Sequence, residues 1–249
     1  MKNSKQVTYA INLVILGVST VFWIVILFNP GSVLPAHHSP AGGNEHSMAS
    51  HEMSLHITSF PGMMAYWILM LLAMMMPKLI APVQYIYERT FKRKRFRAAV
   101  LFLTGYILVW GVAGVVITIL IQTLKLRMPG SFAPAILGGL IAIVWQCSPA
   151  KQFFLNRGHY HRPIAAFGWA ASRDVGLFGV MHGVWCVGSG WAIMLFPMLL
   201  PYGHHIAMMV VALIMVSEHM EQPQAPRWQF NMRLKLLRIV IRQTRIRTS

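Results

Sequence analysis

One histidine and one cysteine stand out because they lie four residues apart within a strongly apolar segment. His182 and Cys186 share one face of the helix predicted there, and Ser189 continues that face. Imidazole and thiolate side chains at this spacing can chelate one soft or borderline ion, such as Cu(I) or Zn(II). The alternative is structural, because a lone cysteine in a helix usually packs as a small apolar residue and a histidine can hydrogen-bond to a neighbouring helix.

Other polar residues are predicted at a similar depth, near the inner ends of other apolar segments. Glu218 and His219 close the last segment. Lys78 lies in the second segment and Gln146 in the fourth. Ionisable side chains are costly inside a membrane and usually mark a function. Glu218 and His219 are therefore candidate metal ligands, although Glu218 could equally pair with Lys78 or with an arginine of an inner loop.

The second apolar segment is rich in methionine, and Met70 and Met74 share a helical face. Thioether groups suit Cu(I), which makes both residues candidate ligands of a copper relay. Packing is the competing interpretation, since methionine fills irregular apolar cores. The total of 18 methionines is high but is compatible with both interpretations.

Residues 29–60 form a polar stretch that collects histidines and methionines. Histidine-rich tracts are typical of metal capture, and binding by imidazole should weaken in acid. The alternative is a solvated loop whose histidines are incidental. His204 and His205 open the last apolar segment on the same side and could join an outer site. The candidate ligands in the stretch are His37, His38, His46, His51 and His56, with Met48 and Met53 nearby.

The sequence lacks the common hydrolytic and phosphate-binding patterns. It contains no HExxH motif and no glycine-rich phosphate loop. Asp174 is its single aspartate and falls in a predicted inner loop. Paired-carboxylate catalysis within the membrane is therefore disfavoured.

The elements that must position these residues are apolar helices. The chain is 56% hydrophobic and 11% charged, whereas a soluble domain carries about 25% charged residues. Because about 20 apolar residues span a bilayer, the sequence predicts an all-α membrane protein with a bundle of six transmembrane helices. The first is predicted to be an uncleaved anchor, since its apolar run is too long for a signal peptide. The six predicted helices cover residues 7–28, 61–86, 98–121, 133–148, 175–199 and 205–220.

These helices divide the chain into four parts. Residues 1–28 form an N-terminal anchor and 29–60 an outer His/Met-rich loop. Residues 61–222 form a five-helix membrane core, and 223–249 a basic cytoplasmic tail. Within the core, Gly179 and Gly183 make a GxxxG pattern around His182. Small residues at this spacing predict that another helix approaches closely, so that His182 faces protein rather than lipid.

The charge of the chain predicts its orientation. Lys and Arg number 22 against 6 Asp and Glu. Membrane proteins concentrate basic residues in cytoplasmic loops, and placing both termini inside puts 19 of the 22 there. We therefore expect a bacterial cytoplasmic (inner) membrane protein with no nucleic-acid partner. The tail after Pro226 has the pattern of a basic amphipathic helix, which predicts contact with the anionic inner leaflet; alternatively, it only reinforces the topology.

Four segments together resemble the signature of a known family. They are WILMLLAMMMPKLIAP (67–82), GYILVW (105–110), WQCSPAK (145–151) and HGVWCVGSGWAIM (182–194). The family is a bacterial one of predicted metal-binding integral membrane proteins, catalogued as domain of unknown function 2182. Glu218 matches a glutamate near the end of the family's last helix. The resemblance covers residues 60–222 and implies a membrane fold that binds a metal ion.

The chain departs from that family where cysteines are frequent. Ser189 and Gly190 replace cysteines of the fifth helix, and Phe154 and Gly158 replace a cysteine pair of the inner loop. A thiolate-rich site cannot be carried over whole. Any metal site must therefore depend on Cys186 together with histidine, carboxylate or thioether groups.

The sequence thus favours a metal-binding membrane protein, most plausibly for copper with zinc as the alternative, that acts in metal handling or transfer. A second hypothesis is a non-catalytic membrane subunit or assembly factor that docks on a membrane protein partner. A third is a membrane redox enzyme. The sequence alone leaves all three open.

Overall fold

The computed structural model describes residues 2–28, 60–128, 131–165, 167–200 and 202–228, and every regular element in these ranges is helical. The predicted all-α class is therefore confirmed for this part of the chain. Two 3₁₀ turns, Met76–Leu79 and Lys92–Lys94, interrupt the helices. The helices are α1 (Lys2–Phe28), α2 (Phe60–Met75), α3 (Ile80–Arg89), α4 (Arg95–Arg127), α5 (Ala133–Cys147), α6 (Pro149–Gly158), α7 (Gly168–Leu199) and α8 (His204–His219).

Four stretches of the described residues are long and apolar enough to cross a membrane, and the α5–α6 pair makes a fifth if it counts as one span. Helix α8 has 16 residues. At about 1.5 Å per residue it reaches about 24 Å, less than the hydrocarbon core of about 30 Å. Six transmembrane helices therefore stay a prediction. The four stretches are Gln6–Phe28, Gly62–Arg89, Lys92–Leu124 and Gly168–Leu199.

A proline breaks the second apolar stretch. Pro77 lacks an N–H group and its ring clashes with the preceding turn, so the α-helical pattern gives way to the 3₁₀ turn Met76–Leu79. Side chains three residues apart line up on a 3₁₀ helix. Met75, directly before the turn, and Lys78, within it, consequently face the same part of the core.

A second proline explains the bend between α5 and α6. Ser148 adopts an extended backbone, as expected of a residue before proline, and Pro149 begins the new helix. The Ser148 hydroxyl caps this helix by accepting the backbone N–H of Lys151 at 3.2 Å. The two helices are bent by 68°. The bend turns α6, and Lys151 with it, back against the bundle.

Helices α4 and α7 pack closely because glycines line their contact. A Cβ atom added at Gly179 would collide with the backbone of Phe102, and one at Gly105 would lie 2.7 Å from the Gly176 carbonyl oxygen. His182, one turn beyond Gly179, is 4% exposed. The predicted close helix approach and the protein-facing position of His182 are both confirmed.

Helix α1 packs on α2 and α3 through polar contacts as well as apolar ones. The buried Ser19 hydroxyl donates to the carbonyl of Ala73 at 2.6 Å. The Gln84 amide donates to the Asn12 side chain at 2.6 Å. Helix α1 is thus a packed part of the described bundle.

The α4–α7 contact predicts opposite effects for two neighbouring glycines. Gly179→Ala should lower the free energy of unfolding by about 1–3 kcal/mol, because the added methyl group overpacks the contact. Gly176→Ala meets no atom within 4 Å and should raise it by about 0.5–1 kcal/mol, because alanine favours the helix. Thermal unfolding in detergent measures both. Equal stability of the two variants would contradict the close approach.

Candidate functional site

The centre of the candidate site is the Cys186 sulfur, which two other parts of the chain approach: the end of α2 with the 3₁₀ turn after it, and α4. Its Sγ atom lies 3.5 Å from the Lys78 ammonium nitrogen, which donates to it, and 3.3 Å from the Tyr106 hydroxyl. The Met75 Sδ atom is 4.0 Å away. All four residues are buried. We call these four residues the Cys186 cluster.

The His182 ring lies one helical turn before Cys186 among aromatic side chains. Ring centroids of Phe102, Tyr106 and Phe178 lie 5.9–6.1 Å from it. The His219 ring meets it edge-on at 6.3 Å. Two of the predicted histidine ligands are therefore neighbours, beside the cluster.

Two histidines that follow α6, His159 and His161, lie on the same side of the bundle as His182 and His219. The His159 ring stacks on His219 at 5.0 Å, and its Nε2 atom lies 2.9 Å from the His219 carbonyl oxygen. His161 packs on Tyr85 at 4.8 Å. Burial lowers the pKa of His161 below the ordinary histidine value, a hydrogen bond with the backbone of His159 partly opposes this shift, and the charge of His159 adds to it. The lowered pKa favours the neutral form of the His161 ring.

Glu218 is engaged elsewhere. Both of its carboxylate oxygens accept from the Lys151 ammonium group, at 2.6 and 2.7 Å. Gln146 completes the arrangement, since its oxygen accepts from Lys151 at 2.5 Å and its amide donates to Glu218. The partner of Glu218 is thus Lys151 on the bent helix α6, rather than Lys78 or an arginine.

The structure brings the predicted ligands only partly together. No group of three or more His, Cys, Asp or Glu side chains in the described ranges is arranged to hold a metal ion. Met70 and Met74 are buried in the core, whereas Met75 is the methionine that contacts Cys186. The predicted outer ligands His37, His38, His46, His51 and His56 lie outside the described residues.

The chain is similar to a known protein family over most of its length. A family model described as "PpoB2: Copper chaperone" matches residues 64–236. The chain belongs to this copper chaperone family. No curated protein and no solved structure is significantly similar to it. The match supports the copper-related character expected from the sequence, but it does not confirm the label domain of unknown function 2182.

The Cys186 cluster suits the copper chemistry of that family. Cu(I) prefers thiolate and thioether ligands, and the cluster offers one of each. At metal–sulfur bonds of about 2.3 Å, two sulfur ligands of one ion lie at most about 4.6 Å apart. The separation of 4.0 Å between Cys186 Sγ and Met75 Sδ is within that limit.

Sequence reasoning missed Met75 and Tyr106 as neighbours of Cys186. The assumption of one regular helix through residues 61–86 singled out Met70 and Met74, but the 3₁₀ turn changes the register there. Pro77 was the available signal. Tyr106 lies in the family-like segment GYILVW, but that segment does not indicate a contact with Cys186, because the contact depends on the packing of α4 on α7.

On the opposite side of the bundle, His204 and His205 open α8 next to each other, with ring centroids 5.5 Å apart. The His204 Nδ1 atom lies 2.8 Å from the Pro197 carbonyl oxygen and must donate to it. Its Nε2 atom lies 3.2 Å from the Tyr66 hydroxyl. The His205 Nε2 atom is buried without a hydrogen-bond partner. Because Pro197 lies eleven residues after Cys186 on α7, the histidine pair is separated from the Cys186 cluster along the bundle.

The buried ion pair predicts a stability effect that is separate from copper binding. Glu218→Gln leaves the Lys151 charge buried without its carboxylate and should cost about 3–5 kcal/mol. Glu88→Gln, which changes an exposed carboxylate of α3, should have almost no effect. Denaturant unfolding in detergent measures the difference. Equal losses in the two variants would contradict a structural role for the pair.

Proposed function

We propose that the protein is a membrane-integrated copper chaperone that holds Cu(I) at the Cys186 cluster. The observation that carries the proposal is the buried Cys186–Met75 sulfur pair, in a chain of the copper chaperone family. A thioether is a weak ligand, so this pair would hold the ion and still release it to an acceptor. His182, on the same face of α7 as Cys186, is the proposed third ligand.

Lys78 gives the cluster a way to exchange a charge for a metal ion. Thiolate is the form of cysteine that binds metals, and the Lys78 ammonium group donates to the Cys186 sulfur in the described arrangement. Cu(I) carries the same single positive charge. We propose that the incoming ion displaces the ammonium group, which releases its proton to water and becomes a neutral amine, so that the thiolate always has one cationic partner and the net charge of the cluster does not change.

The proposed route of the ion follows the distribution of soft ligands. The outer histidine-rich loop would capture copper, and the methionines of α2, among them Met70 and Met74, would relay it. His219 and Glu218 lie near the inner end of the route. Glu218 is held by Lys151, so we assign it a structural role in this route.

Membrane integration is part of the proposal. Large apolar side chains remain exposed on the outer faces of three helices, among them Leu13 at 76%, Val112 at 68% and Ile136 at 63%. A water-facing bundle does not tolerate apolar surface of this extent, whereas a bilayer solvates it. We propose the bacterial cytoplasmic membrane with both termini in the cytoplasm.

The alternative of a non-catalytic subunit or assembly factor rests on weaker support. It relied on two docking surfaces, the glycine-lined face of α7 and the basic tail, of which residues 229–249 lie outside the described residues. Gly179 and Gly183 contact α4, Gly188 faces Phe154, and Gly190 faces Met215 of the same chain. That face is already used for internal packing. No contact among the described residues specifically favours the redox-enzyme alternative.

Copper loading of cysteine variants tests the function. Wild type purified anaerobically with Cu(I) should retain about one copper per chain by elemental analysis. Cys186→Ser should lose it, because the thiolate is the strongest ligand. Cys147→Ser is the matched control, since Cys147 is the other cysteine and lies outside the cluster. Retention of copper in Cys186→Ser would overturn the proposal.

Two methionine variants test the thioether. Met75→Leu should weaken Cu(I) binding by at least about tenfold in competition with a chromogenic chelator. Met74→Leu, equally buried one position earlier and assigned to the relay rather than to the cluster, should keep the wild-type affinity for the bound ion. His182→Ala should fall between the two, and Glu218→Gln should retain copper. Equal affinity of Met75→Leu and Met74→Leu would exclude Met75 as a ligand.

Reporter fusions test the topology. Alkaline phosphatase, active only outside the cytoplasm, should be active when inserted in residues 29–59 and inactive when fused after residue 249. Green fluorescent protein should give the reverse pattern, because basic segments stay inside. An insertion between residues 90 and 94 is the internal control for the cytoplasmic side. Active phosphatase at the C-terminus would refute the proposed orientation.

A further inference from the structure

A cavity of about 260 Å³ lies apart from the Cys186 cluster, at the end of the bundle proposed to face the cytoplasm. It opens between the turn that joins α3 to α4 and the first residues of α7. Arg89, Lys94 and Arg97 line it. These three side chains are exposed, so their charged groups surround the mouth of the cavity.

No ion pair among the described residues joins a carboxylate to Arg89, Lys94 or Arg97. Among described residues, the ion pairs join Lys151 to Glu218 and Arg173 to Asp174. The Asp174 carboxylate also accepts the backbone N–H of Ala165, at 3.2 Å. None of the three basic residues of the mouth therefore has a carboxylate partner in that part of the chain.

The first turn of α7 adds to the positive character. Gly168, Trp169 and Ser172 line the cavity from this turn. The preceding residue, Phe167, makes no side-chain cap, and the turn holds no acidic residue. The free N–H groups of a helix N-terminus favour an anion. The helix end thus acts together with the three cations.

One hydroxyl group at the cavity lacks a partner. Thr90 lines the cavity, and its Oγ1 atom is buried without a hydrogen bond. Its carbonyl oxygen, by contrast, accepts from Arg95 at 3.3 Å. A buried hydroxyl is costly when unpaired, so this atom points to a ligand oxygen as its missing partner.

The floor and the rim of the cavity indicate an amphiphile rather than a small anion. Ala98, Leu101 and Val175 form an apolar floor. Phe91 and Trp169 are exposed at the rim, where aromatic residues are typical of a membrane interface. The volume is below the range of about 300–1,000 Å³ of pockets that enclose whole ligands, so it suits a headgroup and the first acyl carbons.

We propose that this cavity binds the phosphate group of an anionic phospholipid of the inner leaflet. The phosphate would lie among Arg89, Lys94 and Arg97 with the Thr90 hydroxyl as a donor, and acyl carbons would cover the apolar floor. This inference rests on the membrane placement proposed above, but it does not depend on copper binding at Cys186. A free phosphate ion shares the headgroup chemistry and is the alternative source.

Native mass spectrometry of the full chain, released from detergent, tests the site. Phosphatidylglycerol, phosphatidylcholine and inorganic phosphate are titrated separately. Wild type should retain phosphatidylglycerol in preference to the other two. Arg97→Gln and Lys94→Gln should each weaken its retention more than fivefold, the loss expected for one basic residue near an anionic membrane surface (about 1 kcal/mol).

Two further variants separate a defined site from diffuse attraction. Arg93 lies in the same turn but does not line the cavity. Arg93→Gln removes one positive charge there and should therefore weaken phosphatidylglycerol retention by no more than about fivefold. Thr90→Val changes no charge and should still weaken phosphatidylglycerol retention. Equal effects of Arg93→Gln and Arg97→Gln, or unchanged retention in Thr90→Val, would overturn the site.

The phosphate and copper measurements distinguish a lipid headgroup from a free phosphate ion and separate lipid binding from copper binding. Binding of inorganic phosphate as tight as that of phosphatidylglycerol would overturn the lipid assignment. Copper is measured on the same preparations. Loss of lipid with full copper retention in Arg97→Gln supports two independent sites. Failure of wild type to load copper would refute the chaperone proposal and leave the lipid result intact.

Discussion

The close contact between α4 and α7 is the constraint on which the rest of the described structure depends. Gly105 on α4 and Gly179 and Gly183 on α7 let the two backbones approach to a distance that excludes side chains. Lipid tails are as apolar as the helix surfaces, so in the proposed membrane the hydrophobic effect hardly favours contact between helices. Close van der Waals packing is then a main source of helix–helix association. The same contact brings Tyr106 of α4 against Cys186 of α7. Packing and the candidate copper site therefore share one helix interface.

Two prolines outside this interface interrupt helices and thereby place buried lysines next to their partners. In the 3₁₀ turn at Pro77, Lys78 lies in the core beside Cys186. After the helix break at Pro149, Lys151 lies against Glu218. In both places a lysine finds an anionic or polarizable partner, which limits the cost of burying its charge. Interrupted helices are tolerated because neighbouring groups satisfy the freed backbone and side-chain positions.

The copper and lipid proposals assign separate tasks to separate parts of the bundle. The Cys186 cluster lies in the core and offers two soft sulfur ligands. In the described ranges, no three or more His, Cys, Asp or Glu side chains are arranged to hold a metal ion. A sparse ligand set suits a protein that transfers copper rather than storing it. The basic cavity lies at the surface of the bundle, where charge and aromatic side chains meet the proposed membrane interface.

Hydropathy and residue type by themselves determined the helical class, the approximate helix positions and the GxxxG contact, and they marked Cys186 as a candidate ligand, because these features depend on local composition and spacing. The family match over residues 64–236 agrees with the copper chemistry read from soft ligands. Only the tertiary structure showed that Met75, rather than Met74, contacts Cys186. It also showed that Lys151 is the partner of Glu218. Both contacts depend on the helix breaks at Pro77 and Pro149. A sequence pattern based on a regular helical period does not predict the direction in which the chain continues after such a break.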